Sequence, residues 1–162
     1  MQISQERLKS VVSYEHDTGL FRWKKNTGGS KKGDVAGSKS LRGYIYIQID
    51  GKMLQAHRLA WLYMHGDVPD LIDHINGNRI DNRASNLRSC NKYENSWNSR
   101  IRKDNKSGVK GVSWSKCASK WQAIITVNGV KKYLGIFEDI KSAELVISKE
   151  RERLHGEFSR HR

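Results

Sequence analysis

Residues 56–98 read AHRLAWLYMHGDVPDLIDHINGNRIDNRASNLRSCNKYENSWN, and everything else in the chain is arranged around this stretch. Groups able to bind metal or share hydrogen bonds crowd its centre. Asp73 adjoins His74, Asn86 follows twelve positions after the histidine, and Asn95 lies nine further on. Pro69 breaks the chain before this centre. The part after Leu71 is too short and turn-rich for a helix, whereas residues 86–98 are predicted to form one.

Upstream, QERLKSVVSYEH places Leu8, Val11, Val12 and Tyr14 at helix-compatible spacing before an Asp17-Thr18-Gly19 turn, which predicts a short helix. Residues 20–23 read as a strand, and 26–39, rich in Gly, Ser and Lys, as a mobile basic loop. Alternation with isoleucine over 44–49, then Asp50-Gly51, then 53–61, predicts a hairpin, because Asp-Gly tolerates the positive φ of a tight turn. Downstream, 100–106 is a basic linker, and the main boundary is expected there. Beyond it, strands are predicted over 109–114, 121–127 and 130–137, with Asn128-Gly129 as a tight turn. Asp139 can cap a final helix whose apolar face is Ala143, Val146, Ile147 and Leu154.

The 162 residues fit one medium domain or two small ones and leave no room for a large multidomain enzyme. Thirty Lys and Arg oppose 17 Asp and Glu, a formal charge of +13, so a polyanionic partner is expected rather than a small neutral substrate. The excess is not a tail. Residues 1–68 carry 11 basic and 6 acidic side chains, 69–106 carry 8 and 5, and 107–162 carry 11 and 6, as an extended footprint for phosphate requires. No apolar run is long enough to span a bilayer and the N-terminus lacks a signal-peptide pattern, so a cytoplasmic protein without membrane partners is expected. Cys90 and Cys117 are too few for a disulfide framework or a four-ligand zinc site.

Phosphodiester hydrolysis needs a divalent cation to neutralise charge on the phosphate and a neutral imidazole to take a proton from water. Asp73 is a suitable hard oxygen ligand, Asn95 offers a second oxygen, and the reference pKa of His74 suits general-base work. The plainer reading makes Asp73 and Asn76-Gly77 turn formers, Asn86 a helix cap and Asn95 a solvated side chain. Neighbours on a strand point to opposite faces, so Asp73 and His74 can serve one site only at a strand end.

The elements HRLAW, IDHINGN, DNR, NLR and ENSWN together resemble the HNH endonuclease family, in particular its phage and homing members, over residues 57–98. The resemblance implies a ββα-metal core, and with the strand, turn and helix pattern the expectation is an α+β fold: a nuclease domain over 1–99 with an N-terminal β-hairpin elaboration, then the linker, then a small three-stranded antiparallel sheet with one helix over 107–158. It implies His74 as general base, Asp73 and Asn95 as ligands of one Mg²⁺ or Mn²⁺, and Asn86 as the asparagine that braces the loop, with no structural zinc. His57 matches the start of the upstream element and reads as a packed or phosphate-contacting residue rather than a ligand. Arg58, Arg83 and Arg88 either pair with local carboxylates or hold DNA phosphate, and Arg100, Arg102 and Lys103 of the linker are further candidates for DNA.

Residues 107–158 resemble the APETALA2 or ethylene-response-factor domain through the GVKGVSW opening, Trp121, LGIF at 134–137 and the helix bearing Ala143. That resemblance implies a sheet that enters the major groove, with Lys110, Trp114 and Trp121 facing DNA and Lys116, Lys120, Lys131 and Lys132 adding phosphate contacts. Trp121 reads equally as a core residue, and Lys131 and Lys132 as solvated edge residues. Val112, Ile124 and Thr126 depart from the charged strand residues frequent in plant members. The expectation is a metal-dependent endonuclease acting on double-stranded DNA as a monomer or DNA-induced dimer, phage-encoded, of homing type, and needing no small-molecule cofactor. The alternative is a DNA-binding regulator or packaging accessory with an inactive nuclease motif.

Overall fold

The computed structural model describes residues 3–161. It is a mixed α and β chain of four helices and small antiparallel sheets that divides into two compact units, 1–89 and 90–162.

The first unit begins with α1 (Gln5–Val11), capped by the Ser4 hydroxyl accepting from Arg7 N, and passes directly into β1 (Val12–Tyr14). The predicted helix therefore stops earlier, because Val12 and Tyr14 turn inward on a strand that pairs antiparallel with β2 (Phe21–Trp23) in the register Tyr14↔Phe21. The expected loop over 26–39 contains two short strands, β3 (Val35–Ala36) on the edge of β2 and β4 (Ser38–Lys39) on the edge of β5 (Ile45–Ile49). Asp50 and Gly51, at φ of 51° and 75°, turn β5 into β6 (Lys52–Gln55) as the dipeptide foretold. The predicted second strand over 53–61 ends at Gln55. From there α2 (Ala56–His65) takes over, since Ala56, Leu59 and Ala60 recur at i, i+3 and i+4 and all three are buried. Gly66 closes α2 in the left-handed conformation.

Leu8, Val12, Tyr14, Phe21, Ile47, Leu59 and Leu87 belong to one core that joins α1, both small sheets and α2. Against this frame stands a ribbon of β7 (Leu71–His74) and β8 (Leu87–Cys90), joined through a loop that ends in a single 3₁₀ turn at Ala84–Asn86. The predicted helix over 86–98 is therefore mostly something else. Residues 87–90 are strand, drawn into pairing with β7, and only α3 (Lys92–Trp97) is helical.

The second unit opens with α3 and continues into the sheet of β9 (Val112–Ser115), β10 (Lys120–Val127) and β11 (Val130–Phe137), followed by α4 (Ile140–His155). The strand order is β11-β10-β9, and Asp139 caps α4 by accepting from Ser142 N. Ala123 and Ile125 of β10 meet Ala143 and Ile147 of α4 in a core that Trp121 and Phe137 flank. The division between the compact units falls at 89/90, ahead of the segment over 100–106, and α3 belongs to the second unit, where the Trp97 ring stacks on His155. No described helix is long and apolar enough to cross a membrane.

Candidate active site

Asp73 and His74 are the last two residues of β7, the strand-end position at which neighbouring side chains can serve one site. Both are buried. His74 Nε2 lies 3.2 Å from Asn82 Oδ1, and Asn82 Nδ2 donates to Ile80 O at 3.5 Å, which orients the amide with its oxygen toward the imidazole. His74 Nε2 is accordingly the protonated nitrogen, and Nδ1 carries the ring's lone pair. Burial pushes the His74 pKa down, opposed by the Asn82 bond and by Asp73 and Asp81, so the ring is neutral at physiological pH.

The loop from Ile75 to Asn86 is closed on itself. Asn86 Oδ1 accepts from Asn76 N at 2.9 Å, Asn86 Nδ2 donates to Asp81 O at 2.7 Å, and Asn86 O accepts from Ile75 N at 2.9 Å. A single buried side chain thereby spans the loop that follows His74. Asp81 adds a second tie, accepting from Asn76 Nδ2 and from both Arg83 Nε and Nη2, and the Arg83 guanidinium first of all holds its pKa down to about 2.

The N-terminal elements clamp this loop from outside. Tyr14 Oη donates to Asn82 O at 2.6 Å, and burial pushes the phenol up to about 12, so it remains a donor. Ala84 N donates to His16 O, and a Cβ at Gly19 would lie 2.4 Å from Asn82 C, so only glycine permits the turn at 17–19 to press on the loop. Asn82, only 2% exposed, is the site residue that sequence reading missed. Its signal was the DNR element, read there as part of a signature rather than as the histidine's partner.

Asp73 Oδ2 accepts from Arg88 Nε at 3.1 Å and Nη2 at 2.8 Å, in an ion pair whose side chains are 7% and 11% exposed. Of the arginines read as partners of local carboxylates or of DNA phosphate, two are seen with carboxylates and the third with backbone carbonyls. Arg83 pairs with Asp81, Arg88 pairs with Asp73, and Arg58 donates to the carbonyls of Pro69 and Asp70 ahead of β7.

His57, from the start of α2, is buried with its ring 5.1 Å from that of His74 in an edge-on arrangement, and Tyr44 lies 5.3 Å and 6.1 Å from the two rings. Arg79 covers the Tyr44 ring at 4.8 Å. Burial first, then His74 and Arg58, pushes His57 down to about 3. An unfolded histidine titrates near 6.5, so between about pH 3 and 6.5 the unfolded chain binds a proton that the folded chain refuses. Stability contributed by neutral His57 is therefore complete above that window and lost as pH falls through it, on the order of 5 kcal/mol in all. His57→Phe is expected to flatten the fall in urea midpoint between pH 7 and pH 4; an unchanged slope would contradict a neutral, buried His57.

Asn95 is exposed on α3 in the second unit, as are Arg100, Arg102 and Lys103 of the following segment, where Arg102 stands 3.9 Å from Asp104. The residues expected to face DNA are distributed over both faces of the sheet. Lys120, Gln122, Ile124 and Thr126 of β10 point away from α4, with Ser113, Lys131, Tyr133 and Ile136 opposite them in register. Trp121 instead packs on the core beneath α4, and Lys132 pairs with Glu150 of α4 at 2.6 Å. Trp114 is half exposed, edge-on to Trp121, and Lys116 is exposed in the turn after β9. Lys110 is half-buried, its Nζ donating to Trp97 O and Ser99 O, and burial pushes its pKa down to about 8.

Residues 54–97 match the family model of the HNH endonuclease. The chain is 37% identical to Protein 3.8 of Escherichia phage T7 over 113 residues, which span 68% of this chain and 93% of that protein. It is 31% identical to the uncharacterized HNH endonuclease L560 of Acanthamoeba polyphaga mimivirus over 120 residues, 72% of this chain and 61% of the relative. No solved structure matches the chain.

Proposed function

The chain belongs to the HNH endonuclease family, and on that premise we propose that it is a divalent-metal-dependent endonuclease acting on double-stranded DNA. The observation that carries the reading is the pairing of a buried, neutral His74 with Asn82 at the end of β7, immediately beside the Asp73 carboxylate. In this reading β7, β8 and α3 are the ββα-metal element.

For a cation the first unit offers the Asp73 carboxylate, a hard oxygen, and the family resemblance implies the Asn95 amide as a second oxygen ligand; no three His, Cys, Asp or Glu side chains converge among the described residues. Such a sparse set suits Mg²⁺ or Mn²⁺, which bind through one or two protein oxygens and complete their shell with phosphate and water. When bound, the ion would neutralise charge on the scissile phosphate and stabilise the leaving oxygen. His74, protonated on Nε2 by its bond to Asn82, takes the proton of the attacking water on Nδ1. Asn86 keeps the loop closed, so the imidazole holds its direction as the proton arrives. Arg88 neutralises the Asp73 charge within the folded chain, and were a cation to take up that carboxylate its guanidinium would be placed to meet phosphate.

The uncovered face of β9, β10 and β11 is the proposed DNA-reading surface, with Gln122, Thr126, Lys131 and Tyr133 presented and α4 behind, in the manner of the APETALA2-like domain. Each of the two units would contribute basic groups to the track implied by the charge of +13. A phage-encoded homing enzyme acting in the host cytoplasm is the role that fits a small site-seeking nuclease of this kind. Sequencing the ends produced by the purified chain and Mg²⁺ on a genomic DNA library tests the reading. Ends clustered at a shared sequence, absent with chelator, are expected. Salt-sensitive binding without ends would favour a regulator with a silent nuclease motif.

A further inference from the structure

Helix α3 has six residues, none of them buried, and a helix this short does not persist in water unaided. It is fastened at both ends. At its start Asn91 and Glu94 form a reciprocal cap, with Asn91 Oδ1 accepting from Tyr93 N and Glu94 N while Glu94 Oε2 accepts from Asn91 N. Tyr93 also rests against the turn between β10 and β11, since a Cβ at Gly129 would sit 3.5 Å from its ring.

At its end the Trp97 indole lies flat on the His155 imidazole, 4.3 Å between centroids and 4° between planes. Lys110 Nζ donates to Trp97 O at 2.7 Å and Ser99 O at 2.8 Å, satisfying carbonyls that the helix end leaves without intrahelical partners. Both anchors are themselves held. His155 Nε2 lies 3.1 Å from Thr126 O of β10, and Arg151 of α4, 2% exposed, donates to Lys110 O.

We propose that Trp97, Lys110 and His155 are positioning residues for Asn95, making presentation of that metal ligand depend on the folded sheet-and-helix module. The proposal rests on the reading of Asn95 as a ligand. Asn95 stands between Tyr93 and Trp97, so both ends of the helix that bears it are set by the same hairpin and helix that build the DNA-reading sheet. Lys110, expected to touch DNA, is committed to α3 instead, its ammonium shared between two carbonyls.

The test uses the full chain with a phosphorothioate duplex that resists hydrolysis, and follows Mn²⁺ binding from the electron paramagnetic resonance of free ion. Trp97→Ala removes the stack from the exposed helix and leaves the module's own core intact. Lys110→Met removes the tether, with Lys110→Arg as its conservative partner. Trp97→Ala and Lys110→Met should each weaken Mn²⁺ binding about tenfold, as loss of ligand-supporting contacts does elsewhere. Amide exchange over 91–98 should quicken, DNA affinity in chelator should stay within about twofold, and Lys110→Arg should recover most of the Mn²⁺ affinity. Asn95→Ala is the control. If Asn95→Ala leaves Mn²⁺ binding unchanged, the ligand assignment itself fails. If Asn95→Ala weakens it while Trp97→Ala and Lys110→Met do not, the positioning proposal alone is overturned. A fall in DNA affinity for Lys110→Met without change in Mn²⁺ binding would also overturn it, returning Lys110 to phosphate contact.

Discussion

His74→Ala should lower the single-turnover rate of DNA nicking by about 10²- to 10⁴-fold, the usual contribution of a positioned general base. Binding of DNA should be unaffected, because His74 is buried and its Nε2 is engaged with Asn82 rather than turned to solvent. The pH profile of the wild-type enzyme should agree. Burial lowers the His74 pKa, so the acid limb of the profile should lie below the pH at which a free histidine titrates. A variant that nicks at the wild-type rate would remove His74 from the chemistry.

Asp73→Leu should abolish nicking and also destabilise the first unit, by about 3 to 5 kcal/mol, because it leaves the Arg88 guanidinium charged in a nearly buried place. The two losses can be separated. Adding Arg88→Met removes the stranded charge, and the double variant should regain most of the stability, since a buried ion pair replaced by packed apolar groups is often neutral. Nicking should stay absent in the double variant. Denaturant midpoints read the first effect and plasmid nicking the second; recovery of both together would reduce Asp73 to a partner for Arg88.

Asp73, His74 and Asn86 stand within fourteen positions of one another, so a short signature carries them. Asn82 stands there too. Its importance arises from a loop that folds back on His74 and from Tyr14, 68 positions upstream, whose hydroxyl bonds the Asn82 carbonyl. No periodicity reports a contact of that separation.

The helix expected over 86–98 failed for a similar reason. Leu87 to Cys90 has no intrinsic mark of a strand, and pairing with β7 decides its conformation. The true start of the helix was readable all the same, in Asn91 followed three positions later by Glu94. The burial at Ala56, Leu59 and Ala60 likewise gave a helical spacing where a strand was expected.

In the C-terminal sheet the strands and turns were legible, but not the face each lysine would occupy. A bulge between Ala123 and Ile124 leaves Leu134 unpaired and shifts β11 by one residue. Counting back from Phe137 by twos would put Lys131 under α4; the bulge puts Lys132 there, against Glu150, and turns Lys131 to the open face. Charge composition was informative about the partner and silent about the geometry.

The central claim is that this chain hydrolyses DNA with a divalent cation, and relaxation of a supercoiled plasmid tests it most directly. The purified protein with Mg²⁺ should convert closed circles to nicked circles, the chelated protein should not, and His74→Ala should be slower by the factor given above. Plasmid that remains closed with Mg²⁺ and with Mn²⁺, while the protein demonstrably binds it, would contradict the account.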